Sequence, residues 1–297
     1  MAETESNLHV FTADYYFYKK YQKLKGLIKM GKIQCVYDMN NNFFFHLMSV
    51  SKIGYDNDYG KKYANTIEEK DIATLKKYEK ELTMKGGEYD GKLFWTGMYA
   101  GNASDAIEQI KNGQGFPGFE SYTTALLEIF EVFQKYHDDY CKNIWPQEEK
   151  KLSKIVLEWQ KNFDEEKLEE KAEKLTGIKS DTIFYATLIT SIAHGVEAIL
   201  YDGGDGNIYD LFGIDRDYKS ARFMFLHEYI ITLLQKQILF SIEDYYRIEG
   251  LAEYYCEELI GKSYNFTNMN KYIDFYRAKR AEKTYSPKEL FEAAKEF

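Results

Sequence analysis

The sequence predicts a predominantly helical α+β protein, and three observations lead to this fold class. Proline is scarce, with only Pro117, Pro146 and Pro287 among 297 residues, so long stretches are free to be helical. Through much of the chain, apolar residues recur every three or four positions among charged ones, which is the pattern of amphipathic helices. Residues 182–201 differ, because β-branched and aromatic side chains are concentrated there, as is typical of β-strands. We therefore expect long helices packed on a small β-sheet.

The first part of the chain is predicted to be mainly helical. Its amphipathic patterns predict helices over residues 14–30, 66–82, 104–111, 121–140 and 148–175. The last of these helices should end at Gly177, because glycine readily adopts the left-handed conformation that ends many helices. The apolar run over residues 42–48 is expected to be buried.

The second part of the chain begins with the strand patterns. Residues 182–190, 196–201 and 208–212 are predicted strands, and glycine, aspartate and asparagine between the last two indicate a turn. Two helices are predicted to follow, over residues 219–240 and 241–262. We accordingly divide the chain into a mainly helical region, 1–178, and a core with the small sheet, 179–297. No Pro/Ser/Gly-rich tract separates them, so we expect one compact unit.

Composition excludes several classes of function. The formal net charge is −9, which argues against nucleic-acid binding and against anionic membranes, since both need clustered lysine and arginine. Cys35, Cys141 and Cys256 are far apart and odd in number, so no disulfide framework is predicted.

The first residues lack the pattern of a signal peptide, and no apolar run is long enough to span a membrane. We expect a cytoplasmic protein, with a secreted protein that has lost its signal peptide as the alternative.

One ionisable pair stands within a predicted helix that is otherwise apolar nearly all round. His227 and Glu228 lie in the middle of the run from Phe223 to Leu234, and such a helix is buried. Burying ionisable groups costs several kcal/mol unless they are paired, hydrogen-bonded or bound to a metal. The residue one helical turn after the histidine is Ile231.

The next predicted helix carries three acidic residues near its buried face. When Ala252 is taken as the centre of the apolar stripe, Glu249 lies roughly 60° from it, Glu253 roughly 100° and Glu257 roughly 140°. Glu249 is therefore the acid that we expect to point inward, and we expect the other two to lie progressively outside the stripe.

These two segments together resemble the gluzincin metallopeptidases. That family has a His-Glu-x-x-His helix followed by a helix that opens with Glu-Gly-x-Ala-x-Tyr, and here His227-Glu228-x-x-Ile231 is followed by Glu249-Gly250-Leu251-Ala252-Glu253-Tyr254. The resemblance covers roughly residues 181–259 and includes the small sheet. It implies that His227 and Glu249 are zinc ligands, that Glu228 is the general base of peptide hydrolysis, and that a peptide or protein is the partner.

The sequence departs from the gluzincin pattern at Ile231, which replaces the second histidine ligand. An aliphatic side chain cannot bind zinc, so we expect zinc to be weakly bound or absent. His194 is the nearest histidine that could substitute, whereas His9, His46 and His137 are expected to be structural or exposed. Three hypotheses stay open: a degenerate zinc metallopeptidase, a catalytically inactive relative that binds a peptide or protein, and an unrelated helical interaction protein. In the last, His227 and Glu228 pair with each other or with the backbone inside the helical core, and Glu249 pairs with a base such as Arg247 or Lys236.

Overall fold

The computed structural model describes residues 31–54, 56–83, 93–113, 119–192, 199–202, 207–214, 217–261 and 269–297. The helix predicted over residues 14–30 and the segment that contains His194 lie outside these ranges. His9 also lies outside them.

Helices dominate the described residues, and with a small sheet they confirm the predicted α+β class. The α-helices are α1 (Met39–Val50), α2 (Asp58–Lys62), α3 (Glu69–Lys76), α4 (Glu79–Leu82), α5 (Ala103–Lys111), α6 (Thr123–Asp139), α7 (Trp145–Glu166), α8 (Leu168–Thr176), α9 (Tyr218–Gln235), α10 (Tyr245–Ile260), α11 (Asn270–Glu282) and α12 (Pro287–Ala293). Short 3₁₀ segments lie at Ala64–Thr66, Phe94–Asn102, Glu120–Tyr122 and Ile242–Asp244, and a π-helical turn at Tyr140–Ile144 joins α6 to α7.

The sheet has four strands in the described part of the chain, β1 (Ile33–Val36), β2 (Phe184–Ile189), β3 (Ile199–Asp202) and β4 (Ile208–Gly213). Their order across the sheet is β1-β2-β4-β3, with β3 antiparallel to β4 and the other pairs parallel. The strands predicted over 182–190 and 208–212 are confirmed, and β3 overlaps the end of the strand predicted over 196–201. The sequence pattern does not predict β1, because four residues are too few to show a clear period and all four are buried.

Two predicted helices are each broken in two. The pattern over 66–82 forms α3 and α4, and the pattern over 148–175 forms α7 and α8. Lys167 separates the latter pair with a left-handed φ of 52°, and its N–H bonds the carbonyl of Phe163. On one straight helix, Phe163 and Leu168 would point roughly 140° apart. The break allows both side chains to reach the core, where each is 1% exposed. Gly177 ends α8 with a left-handed φ of 72°, as predicted.

One hydrophobic core connects the described residues from Ile33 to Ala294, and α9 lies inside it. Phe225 of α9 contacts the rings of Phe212 on β4, at 4.1 Å between centroids, and of Trp159 and Phe163 on α7, at 5.6 and 5.2 Å. On its other side α9 packs against α10. Within the described residues, no helix is both long enough and apolar enough to cross a membrane.

Candidate functional site

The first helix of the site, α9, is built to be buried. The Asp217 carboxylate caps its N-terminus by accepting a hydrogen bond from the Ser220 N–H at 2.8 Å, which satisfies a backbone donor that the helix leaves free. Apolar side chains occupy most of its circumference, and twelve of its residues from Ala221 to Leu234 are buried. His227 is among them, with 3% of its surface exposed.

The second helix, α10, approaches its neighbours closely beside Glu249. A β-carbon on Gly250 would stand 2.8 Å from the Tyr272 Cβ of α11, so only glycine lets the two helices pack this closely. At the start of the helix, the Arg247 guanidinium bonds the Asp244 carboxylate at 2.9 Å and the Ala294 carbonyl at 3.1 Å. Contacts on both sides of α10 therefore fix the position of the Glu249 backbone.

The imidazole of His227 lies between two carboxylates of α10. Its Nε2 is 2.8 Å from Glu249 Oε2, a hydrogen-bond distance. Its Nδ1 is 3.3 Å from Glu253 Oε2, where alignment is too poor for a good hydrogen bond and the contact is an ion pair. The Glu249 side chain is 18% exposed and the Glu253 side chain fully buried. The Cys256 thiol is the third neighbour of the imidazole that influences its charge.

The expectation that Glu253 lies outside the buried stripe is wrong. The helical-wheel argument places the stripe by apolar residues alone, whereas α10 packs against α9 on one side, α11 on another, and also α8 and α12. The buried arc is consequently wider than the apolar stripe. Glu249 does point inward as predicted, and it contacts His227.

The charge of His227 is set by these neighbours. Burial by itself lowers the pKa of an imidazole, because it disfavours the charged form. The hydrogen bond with Glu249, the nearby Cys256 thiol and Glu253 carboxylate, and the charge of Glu249 together outweigh burial and raise the pKa of His227 well above its usual 6.5. His227 is therefore an imidazolium at neutral pH, and both ring nitrogens carry protons.

Glu228 follows His227 on α9 and is half-buried. Burial raises the pKa of its carboxyl to about 7; the charge of His227 lowers this value and the charge of Glu249 raises it. A carboxyl with a pKa near neutrality can exchange a proton at physiological pH, which is what a general base or acid needs.

The donor set for a metal is incomplete. Ile231 is 4% exposed and provides no ligand atom, and the described residues contain no group of three His, Cys, Asp or Glu arranged to hold a metal ion. Two ligand atoms on a tetrahedral zinc with bonds of about 2.0–2.1 Å stand about 3.3 Å apart. The 2.8 Å between His227 and Glu249 is shorter, so these side chains fit two zinc positions only after they separate and His227 loses a proton.

The alternative partners predicted for these residues are wrong. Glu249 contacts His227, whereas Arg247 bonds Asp244 and Lys236 bonds Thr182 at 3.1 Å. His227 is predicted to pair with Glu228 or the backbone, but it pairs with Glu249 and Glu253 of α10.

Sequence reasoning missed Glu253 and Cys256 as members of the site. A signal was available for Glu253: it stands four residues after Glu249, which places both carboxylates on neighbouring turns of one helix face.

His46 is structural, as expected. It is 2% exposed, and its Nδ1 lies 2.9 Å from the hydroxyl of Tyr59. Tyr59 and Tyr140 in turn donate to the buried carboxylate of Glu148, at 2.5 and 2.6 Å. This buried network joins α1, α2 and α7 and does not include the His227 site.

Comparisons of the chain with family models, with curated proteins and with solved structures find no match.

Proposed function

We propose that this protein is a degenerate zinc-metallopeptidase-like protein whose site lies between α9 and α10. The observation that carries the proposal is the contact between His227 Nε2 and Glu249 Oε2, 2.8 Å apart on two packed helices. These two side chains would hold the zinc ion. When bound, zinc supplies a Lewis acid that polarises a carbonyl and lowers the pKa of a water molecule.

The surroundings of His227 suit a ligand of this kind. Histidines that bind metals usually give their second nitrogen to a carboxylate or carbonyl, which orients the ring. Glu253, 3.3 Å from Nδ1, would orient His227 in this way. Glu228, with its pKa near 7, would accept a proton from water at neutral pH and return it to the leaving amine. The reaction class is peptide hydrolysis.

A second candidate is a catalytically inactive relative that binds a peptide or protein. Two observations favour it: Ile231 is buried at the position of the second histidine ligand, and His227 is protonated between two carboxylates. In this form the positive charge of the imidazolium, and not that of a metal ion, balances the acids of α10.

Zinc binding distinguishes the candidates. Protein purified without chelators should be analysed for zinc and then titrated with Zn²⁺, alongside Ile231→His, Glu249→Gln and Thr232→His. Ile231→His restores the missing donor, so we expect its zinc affinity to rise by at least about 100-fold, the upper end of what second-shell changes produce. Thr232→His is the matched control, because position 232 lies roughly 100° further round α9.

Glu249→Gln should weaken zinc binding in the parent chain and in the Ile231→His background. Zinc affinity unchanged by both Ile231→His and Glu249→Gln would refute the site assignment. Zinc far below one equivalent in the parent protein, with a gain in Ile231→His alone, would favour the inactive relative.

Hydrolysis is measured with fluorogenic peptide mixtures at saturating zinc. We expect cleavage by the Ile231→His variant and its loss when Glu228→Gln is added, because the glutamine cannot accept a proton. Cleavage that persists without Glu228 would contradict its role as the base.

A further inference from the structure

A second cluster of ligand atoms lies where α6 joins α7. The Cys141 Sγ is 3.4 Å from His137 Nε2 and 3.3 Å from the thioether sulfur of Met39. All three residues are half-buried, so the cluster is not sealed within the core. It shares no residue with the site on α9 and α10.

The local fold explains why these side chains meet. His137 and Cys141 are four residues apart on a helical path, which places them on one face. Cys141 lies in the π-helical turn Tyr140–Ile144, and single π-turns inside helices occur frequently at functional sites. Met39 is the first residue of α1, whose Phe43 ring packs edge-on against the His137 ring, with the centroids 5.4 Å apart.

The orientation of the histidine also suits a ligand. His137 Nδ1 lies 3.5 Å from the Asp138 carboxylate, while Nε2 faces the sulfur of Cys141. A carboxylate beside one ring nitrogen favours a proton there and leaves the other nitrogen free to bind a metal.

The same cluster is poorly suited to nucleophilic catalysis. Burial, together with the charge of Asp138, raises the pKa of the Cys141 thiol, whereas reactive cysteines have lowered values. A methionine thioether also gives no help in proton transfer. Thioether and thiolate sulfur are the soft ligands that favour copper(I), and imidazole binds copper as well.

We propose that Met39, His137 and Cys141 form a binding site for a single copper(I) ion. The ion binds the Met39 sulfur, His137 Nε2 and the Cys141 thiolate, and the Cys141 thiol releases its proton to solvent. The Cys141 sulfur is already within 3.4 Å of both other donors, so the ion would bind among three neighbouring ligand atoms. The charge changes by one proton lost and one copper(I) gained, and no electron transfer is required.

The test is an anaerobic titration of the full chain with copper(I), supplied as its acetonitrile complex, in competition with a chromogenic copper(I) chelator. We expect the parent protein to take one equivalent. Changes outside the ligand shell typically lower metal affinity about 10–100-fold. Cys141→Ser and Met39→Leu each remove a ligand, so each should lower the copper(I) affinity by more than this. Thermal unfolding of each variant establishes that it is folded.

Cys35→Ala and Cys256→Ala are matched controls, because both remove a thiol from a buried position, 3% and 0% exposed. Cys256→Ala is the sharper control, since the Cys256 thiol also lies close to a histidine, His227. Both variants should bind copper(I) like the parent. The proposal is overturned if the parent protein takes up no copper(I), if Cys141→Ser or Met39→Leu binds as tightly as the parent, or if Cys256→Ala loses the binding. X-ray absorption of the loaded protein should show two sulfur ligands and one nitrogen, and a spectrum without two sulfurs would also overturn it.

Discussion

Replacing Glu228 with glutamine should stabilise the protein at neutral pH. The folded structure raises the pKa of this carboxyl from 4.5 to about 7, so the folded state holds a proton that the unfolded chain releases. A raised pKa contributes stability that is fully present below pH 4.5 and is lost as the pH rises through about 7. Each pKa unit corresponds to about 1.4 kcal/mol, so a shift from 4.5 to about 7 amounts to about 3 kcal/mol.

The assay is urea unfolding of the parent and Glu228→Gln from about pH 4 to about pH 8, in the presence of a chelator. Glutamine resembles the protonated carboxyl, so the two proteins should be equally stable at the acidic end. Toward neutral pH the parent should lose the stability that the protonated Glu228 provides, whereas the variant should not. The free energy of unfolding of the variant should then exceed that of the parent by about 3 kcal/mol. The groups common to both proteins largely cancel in the difference.

Glu258→Gln serves as the matched control, because Glu258 lies on α10 but is exposed. It should change the free energy of unfolding by no more than about 0.5 kcal/mol at any pH. Parallel stability curves for the parent and Glu228→Gln would refute the reasoning, as would an equal gain in Glu258→Gln.

Three further substitutions test the packing around the two buried networks by urea unfolding. Glu253→Gln removes an acid beside the His227 imidazolium and should cost about 3 kcal/mol at neutral pH; a loss no larger than that of a surface change would contradict the ion pair. Gly250→Ala places a methyl group 2.8 Å from the Tyr272 Cβ and should cost about 1–3 kcal/mol, and a stabilised variant would contradict the tight contact. Tyr140→Phe removes a donor 2.6 Å from Glu148 and should cost about 1–3 kcal/mol, unlike the same change at the half-exposed Tyr246.

The predictable parts of the fold are those in which one residue pattern determines the outcome. The strands over 182–190 and 208–212 and the helix over 104–111 follow from local composition and periodicity, and β2, β4 and α5 confirm them. The break at Lys167 could not be predicted, because no proline or glycine marks it. The break instead allows the side chains of Phe163 and Leu168 both to be buried in the core.

The candidate site shows the same limit. Glu249 is predicted to face inward because it flanks an apolar stripe, and it contacts His227. Glu253 is fully buried because several helices surround α10, and no pattern within a single helix reveals how many neighbours it has. The π-helical turn that holds Cys141 is likewise not predicted by the apolar pattern of its own segment.

The parallel pairing of β1 with β2 has a consequence for how the chain folds. Ile33 pairs with Phe184, about 150 positions later, and the intervening segment includes α1 to α8. Joining such distant segments requires a large loss of chain entropy before any ladder bond forms, and contacts of this range slow folding. During synthesis, β1 therefore cannot pair with β2 until β2 has left the ribosome. A chain that stops after α8 cannot form this pair at all. A nascent chain of that length is the stage at which we expect chaperones to bind.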